Sequence, residues 1–303
     1  MTQETSDGYE LLDSGDGRKL ERFGPWILAR PAAQAAWRPR LDAAAWERAH
    51  AAFDREDGQR WTTRENIPEE WIVALDGLRF RLSRTDFGHL GIFPEQRDLW
   101  QWIDAKVRAA NRSAVHTRAA HASDAQHEGD APVSLLNMFA YSGGATLAAA
   151  RAGASVCHVD ASRGMVTWAS ENAKHNELES APIRWIVDDA LKFLRREERR
   201  ARKYDAIVLD PPTFGRGAKG EVYKIDEALR ETLDACRGLL SEQPVLVLLT
   251  SHTPGYTPLV LENVLGQVVE ARGGTIESGE MVLRGAADVL PLPSGAWARW
   301  SRS

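Results

Sequence analysis

The stretch Val133-Ser134-Leu135-Leu136-Asn137-Met138-Phe139, with Gly144 to Ala152 behind it, decides the fold. A short, nearly uninterrupted apolar run suits a strand covered on both faces. The alanine-rich segment after Gly143-Gly144 reads as a helix. The alternation recurs as Ser155–Val159 then Gly164–Asn176, Ile183–Val187 then Ala190–Arg200, Ala206–Leu209 then Asp226–Leu240, and Val245–Thr250 then Pro258–Arg272. Strand and helix alternating five times predict a parallel sheet with helices on both faces. Thr275–Leu283 and Ala287–Trp297 are placed as a closing pair of strands, which brings the sheet to seven.

Upstream the pattern is different. Tyr9–Leu12 and Trp26–Ala29 read as short strands, and Asp42 to Arg55 as a helix with Asp42 as its N-cap. Asp76-Gly77 between two apolar runs, 71–75 and 78–82, predicts a hairpin. Pro94 to Ala110 reads as a helix with Trp100, Ile103 and Val107 on one face. Asn111 to Pro132 is polar and reads as an exposed connection; His116, His121 and His127 lie in it without a ligand spacing. The expected organisation is a smaller β-rich domain over 1–93, a helix and connection over 94–132, and an α/β domain over 133–303. Five of the eleven tryptophans lie in the first of these, where packing is the ordinary role for them.

The 303 residues are 43% hydrophobic and 27% charged, with a formal charge of −5, which excludes a disordered or coiled-coil chain. The acidic balance does not by itself advertise nucleic-acid binding. Two cysteines, Cys157 and Cys236, cannot form a disulfide framework or a four-cysteine metal site, and no metal is expected. The polar, acidic start has no signal-peptide pattern, and no apolar run approaches the ~20 residues that span a bilayer. A cytoplasmic protein without a membrane partner is the expectation.

Ligands of such sheets bind at the carboxyl ends of the strands. The first strand runs into Phe139-Ala140-Tyr141-Ser142-Gly143-Gly144, whose glycines permit close backbone approach but do not match G-x-G-x-x-G. The second ends in Asp160, suited to ribose hydroxyls or to capping the next helix, a part that Ser162 fills equally well. The third ends in Asp188-Asp189-Ala190, where a carboxylate suits the amine of an adenine or the cap of the following helix. The fourth ends in Asp210-Pro211-Pro212-Thr213-Phe214. Two prolines stop the strand abruptly, and the aromatic is placed to stack on a planar substrate.

These pieces, with Glu171-Asn172-Ala173-Lys174-His175-Asn176 and Gly88 to Arg97, resemble the class I S-adenosylmethionine-dependent methyltransferases. The likeness is to the bacterial large-subunit ribosomal RNA enzymes that modify cytosine carbon 5 or guanine nitrogen 7, and it spans roughly residues 85–250. The resemblance implies a Rossmann-like fold, S-adenosylmethionine as cofactor and RNA as partner; it assigns no oligomeric state. It puts Tyr141, Ser142, Gly143 and Gly144 around the methionine part, Asp160 on the ribose and Asp189 on the adenine amine. Phe139, Ala161, Asn172, Asp188 and Ala190 complete the cofactor's surroundings, and Phe93, Gln96 and Arg97 close over it. Asp210 falls near the transferred methyl, with Pro211 and Phe214 facing the substrate.

Two departures follow. Relatives acting on carbon 5 carry a cysteine after the fifth strand, where this chain has Ser251-His252-Thr253-Pro254, so transfer without a cysteine nucleophile is expected. The first 85 residues also show no clear equivalent of the relatives' extra N-terminal RNA-binding domain. Positioning supplies much of the barrier reduction, so an obligatory base need not exist. Lys219, Tyr223 and Lys224 follow in a glycine-rich segment, either a substrate lid or a solvated loop. The basic run Arg195 to Lys203 is a phosphate contact or a solvated helix end. Two alternatives stand beside this: a nicotinamide-dependent oxidoreductase, and a catalytically silent binding module of the same fold.

Overall fold

The computed structural model describes residues 6–54, 60–64, 66–120, 131–217, 220–270 and 272–302. The chain divides into two compact units, Met1–Arg97 with Met281–Ser294, and Asp98–Glu280 with Gly295–Ser303. The segment 281–294 is thus grouped with the N-terminal part, and the helix beyond Arg97 with the C-terminal part.

The first unit holds a five-stranded sheet of β2 (Tyr9–Gly15), β3 (Arg18–Phe23), β4 (Trp26–Pro31), β5 (Ala51–Asp54) and β6 (Arg60–Thr63). Beside it runs a three-stranded sheet in the order β1 (Ser6–Asp7), β7 (Glu70–Leu75), β8 (Leu78–Ser83). Asp76 and Gly77 turn the β7–β8 hairpin with φ of +51° and +73°, the left-handed pair that an Asp-Gly turn supplies. The expected helix over Asp42–Arg55 is corrected to α1 (Ala43–Glu47), capped by Asp42, followed by β5. Its alanines favour helix. However, the Ile27 N–H donates to His50 Nδ1 at 2.8 Å, and β5 then pairs in parallel with β4, so sheet formation overrides local propensity. Glu21 is buried, where Tyr9 donates to it at 2.9 Å and Arg30 at 2.8 Å; the partners make this burial tolerable.

The second unit carries α2 (Arg97–Ala120) from Asp98 onward and then alternates β9 (Ser134–Met138), α3 (Gly144–Arg151), β10 (Ser155–Asp160), α4 (Arg163–His175), β11 (Ile183–Val187), α5 (Ala190–Arg199) and β12 (Ala206–Leu209). A hairpin of β13 (Phe214–Arg216) and β14 (Val222–Lys224) precedes α6 (Ile225–Leu239), β15 (Leu246–Ser251), α7 (Pro258–Val269), β16 (Thr275–Leu283) and β17 (Leu292–Ser301). The seven-stranded sheet runs β11-β10-β9-β12-β15-β17-β16, as the alternation predicts. Its first five strands are parallel, and β17 is antiparallel to β15. Leu136, Met138, Val159, Phe193, Leu209, Leu249 and Trp300 pack its core. Strand order reverses at β9, with β10 on one side and β12 on the other. A crevice at the carboxyl ends there is the natural ligand position.

Three expectations are corrected. The polar stretch after Asn111 is not all connection, because α2 continues to Ala120. Asn111 fastens it, donating to the carbonyls of Ala152 and Gly153 and accepting from Val133 N–H. His116 lies in that helix, and His121 and His127 lie outside the described residues. The last strand begins at Leu292 rather than Ala287, so the tail Gly295–Ser301 is sheet. The segment after Asp-Pro-Pro is a short hairpin rather than a loop, and Lys219 in it lies outside the described residues.

Candidate functional site

The β9–α3 turn is the most strained backbone at the sheet's edge. Phe139 and Tyr141 have φ of +55° and +50°, and Gly143 has +97°. A left-handed residue other than glycine costs about 1 kcal/mol or more, so neighbours must hold it. Ala140 N–H donates to the Val159 carbonyl at 3.1 Å, Tyr141 N–H to Asp160 Oδ2 at 2.9 Å, and Asn172 Nδ2 to the Ser142 carbonyl at 3.0 Å. Asn172 is fully buried, so it fastens the turn from behind. Gly144 is required for space: a Cβ there would stand 2.4 Å from the Trp100 ring. Helix α3 starts without a side-chain cap, which leaves its first amides and the positive end of its dipole for an anion.

Beneath the turn, Asn137 Nδ2 donates to Thr146 Oγ1 at 2.9 Å, and Thr146 bonds His158 Nδ1 at 2.9 Å. Burial pushes the His158 imidazole down to about 3, so this histidine is a neutral core group.

At the tip of β10, Asp160 also accepts the Ser162 N–H on Oδ1 at 2.8 Å, and burial raises its carboxyl above the usual aspartate range. Ser162 caps α4 through the Met165 N–H, so the capping alternative for Asp160 goes to Ser162. Each Asp160 oxygen keeps a lone pair for a hydroxyl. Ala161 links the two. At the tip of β11, Asp188 N–H donates to the Asp160 carbonyl at 3.1 Å, and the Asp188 carboxylate pairs with Arg196. Asp189 caps α5, which begins at Ala190, through the Lys192 N–H at 3.0 Å.

At the tip of β12, the Asp210 N–H reaches the Met138 carbonyl at 3.5 Å, and Asp210 Oδ1 accepts the Thr250 hydroxyl at 2.7 Å. Pro211 is buried, whereas Phe214 is 51% exposed on β13 with the Arg216 guanidinium 5.6 Å over its ring. Tyr223 packs on Phe139 with ring centroids 4.8 Å apart; burial raises its phenol to about 12, and Lys224 pairs with Glu227 at 2.8 Å. Tyr223 therefore supports the turn from the core instead of forming a lid. The basic run is largely engaged: Arg195 pairs with Glu231, Arg196 with Asp188, and Arg200 with Glu197.

Phe93, Gln96 and Arg97 belong to the first unit. Gln96 ends the 3-10 turn Pro94–Gln96 that Phe93 and Arg97 flank, with Phe93 against His89 and Arg97 bonded to Asp76 at 3.0 Å. Both cysteines are buried, which pushes Cys157 up to about 11 and Cys236 up to about 12, far from reactive thiolates. Among the described residues no group of three metal-ligating side chains comes together, and no helix is long and apolar enough to cross a membrane. Sequence reasoning missed the buried Asn137–Thr146–His158 chain and His252, which sits 3.5 Å from Asp210. The donor set fits a ligand with an anionic end, adjacent hydroxyls and an amine: uncapped amides for the first, carboxylates for the others.

The profile of the family described as Conserved hypothetical protein 95 matches residues 118–254. The chain is 28% identical over 198 residues to ribosomal RNA large subunit methyltransferase I of Aeromonas salmonicida, covering 64% of this chain and 41% of that protein. It is 30% identical over 181 residues to ribosomal RNA large subunit methyltransferase K/L of Hahella chejuensis, covering 59% and 22%. The chain thus spans less than half the length of these curated relatives. A solved SAM-dependent methyltransferase from Agrobacterium tumefaciens superposes with a TM-score of 0.87 at 37% identity, over 100% of this chain and 95% of that one. A methyltransferase solved with SAH bound superposes at 0.72 and 17% identity over 99% and 76%, a likeness of fold.

Proposed function

Because this chain belongs to the S-adenosylmethionine-dependent methyltransferases, we propose that it transfers a methyl group to a base of RNA, ribosomal RNA in the first instance, in the cytoplasm. The cofactor, when bound, supplies an already activated methyl group. The uncapped start of α3 and the Tyr141–Gly144 turn hold its carboxylate end. Asp160 accepts from the ribose hydroxyls, and Asp189 keeps one oxygen for the adenine amine while its other caps α5. Phe139, Asn172 and Asp188 act through the backbone they fasten. Asp210, with Pro211 and the exposed Phe214 ring, orients the acceptor base; stacking on such a ring is worth ~1–3 kcal/mol. In-line positioning then supplies much of the rate.

The observation that carries this is the convergence of Asp160, Asp188 and Asp210 at one edge of the sheet, around an uncapped helix start. RNA as acceptor is supported by the curated relatives' names and by the Phe214–Arg216 pair. A nicotinamide-dependent role is disfavoured by the absent third glycine and by the family. The test is mass spectrometry of ribosomal RNA nucleosides from a deletion strain. One methylated base should disappear and return with the wild-type chain. An unchanged nucleoside profile, with methyl transfer to protein extract instead, would sink the RNA assignment. No transfer to either would favour the silent module.

A further inference from the structure

Three pieces of the first unit enclose a cavity of about 340 Å³: the end of β2 with the turn into β3, the segment that leads into α1 with α1 itself, and Arg64 just past β6. Clefts for small ligands begin at about that size, ~300–1,000 Å³. One carboxylate fixes the walls from behind. Asp13 is 2% exposed, and it accepts the N–H of Ser14 at 2.9 Å, of Arg40 at 3.2 Å and of Leu41 at 2.8 Å, and the indole Nε1–H of Trp46 at 3.2 Å. These bonds make the buried charge tolerable. They also pin the Trp46 ring, which packs against Leu20, Ala29 and Ala49. The end of β2 abuts the next segment so closely that a Cβ on Gly15 would stand 2.3 Å from the Pro39 nitrogen. The cavity is therefore preformed.

Its lining combines a flat aromatic surface with both charges. The Arg18 guanidinium lies 5.3 Å over the Trp46 ring, and Leu41, 41% exposed, adds an apolar lip. Arg64 is held to the sheet by its N–H on the His50 carbonyl at 2.9 Å, and its guanidinium donates to the Glu47 carbonyl. A guanidinium has five donors, so that bond leaves others for a ligand. Asp16 and Glu47 also line the cavity, and they balance Arg18 and Arg64. Such a lining does not attract by net charge. It suits a ligand with a π face, an amine and one phosphate. A lysine or arginine entering from a partner would meet the like charge of Arg18 over the ring, whereas a base extends the stack.

We propose that this cavity holds one unpaired RNA nucleotide, with its base against Trp46 and Arg18, its exocyclic amine on Asp16 or Glu47, and its phosphate on Arg64. The choice of RNA rests on the reading above, but the cavity shares no residue with the candidate crevice of the second unit. A paired base has its faces stacked and its amine engaged, so the site takes a nucleotide from a loop, a bulge or a single strand. Carboxylates accept from amines of bases, as on cytosine, and uracil has none to offer. The substrate class is thus an RNA with an unpaired, amine-bearing nucleotide besides the base that is methylated.

The experiment uses the full chain and short, unstructured oligoribonucleotides. A strand with a single 5-iodocytidine is photocrosslinked to the wild type, and mass spectrometry of the attached peptide should find Trp46. In fluorescence anisotropy, Trp46→Ala should bind oligocytidylate ~5–150-fold more weakly, the worth of stacking one base, and Trp46→Phe should recover most of the loss. Arg64→Gln should lower the slope of log affinity against log salt by ~0.7, one phosphate contact on a single strand. The wild type should bind oligouridylate more weakly than oligocytidylate. Calorimetry should find the affinity for S-adenosylhomocysteine unchanged in every variant. Crosslinks that all fall outside the cavity, an RNA affinity indifferent to Trp46→Ala, or equal binding of the two strands overturns the proposal, and so does a Trp46-dependent affinity for an oligolysine peptide in place of RNA. Ribosomal RNA methylation by the wild type would survive any of these. A wild type that neither binds nor methylates RNA removes the base reading and this site with it.

Discussion

Asp160 Oδ2 accepts the backbone N–H of Tyr141 at 2.9 Å, so the tip of β10 holds the left-handed turn at the tip of β9. One carboxylate therefore shapes the turn and keeps lone pairs for a ligand. Asp160→Ala should weaken S-adenosylhomocysteine binding by at least tenfold and cost about 1–3 kcal/mol of stability, because the half-buried Tyr141 amide loses its partner. Tryptophan fluorescence titration and chemical denaturation read the two effects.

The same residue has a pH signature. Its folded carboxyl is raised, chiefly by burial. Its contribution is fully present below the unfolded aspartate value and is lost as pH rises through the folded one. The stability of the wild type relative to Asp160→Asn should therefore decline as pH rises from the ordinary aspartate value upward. Urea denaturation across that interval checks it, and a difference that grows with pH contradicts it.

His158 predicts the opposite slope. Its folded value falls from 6.5 to about 3, so the unfolded chain binds the extra proton and stability drops as pH falls below 6.5. At one unit below that value the loss is about 1.4 kcal/mol. Replacing His158 by Gln should flatten this part of the profile.

Gly144 and Trp100 should behave as a coupled pair, since a Cβ on Gly144 would stand 2.4 Å from the indole. Gly144→Ala should cost about 1–3 kcal/mol by overpacking, and less in a Trp100→Leu background. Equal costs in both backgrounds would show that the indole is not what the methyl meets.

Phe214 is 51% exposed, and Arg216 lies over it. Phe214→Ala should raise KM for RNA roughly tenfold to a hundredfold, from the stacking energy of ~1–3 kcal/mol, with cofactor affinity unchanged. Phe214→Trp should restore it.

Much of this architecture was legible beforehand. Four of the five parallel strands, β9, β10, β12 and β15, are largely buried, so their apolar runs announce themselves, while β11 is a half-exposed outer strand; the residue after each run falls at the ligand edge. Asp160, Asp188 and Asp210 were readable for that reason. The short helix α1 was not, because alanine propensity points one way and the β4–β5 pairing, a contact distant in sequence, points the other. The long α2 was hidden because the side chain of Asn111 anchors it to α3, a partner that its own polar sequence does not name. His158 looks like any histidine in a strand. Its complete burial, which comes from the packing around β10, makes it a neutral core group. His252 carried no spacing signal; the pairing of β12 with β15 is what brings it beside Asp210.

The central claim is that adenosine and sulfonium lie along the tips of β10, β9 and β12. A crystal structure with sinefungin tests it most directly. The expected result is density at that edge, with ribose hydroxyls on Asp160 and the amine-bearing end beside Asp210. Density elsewhere, or an Asp160 carboxylate that touches no ligand, would contradict it.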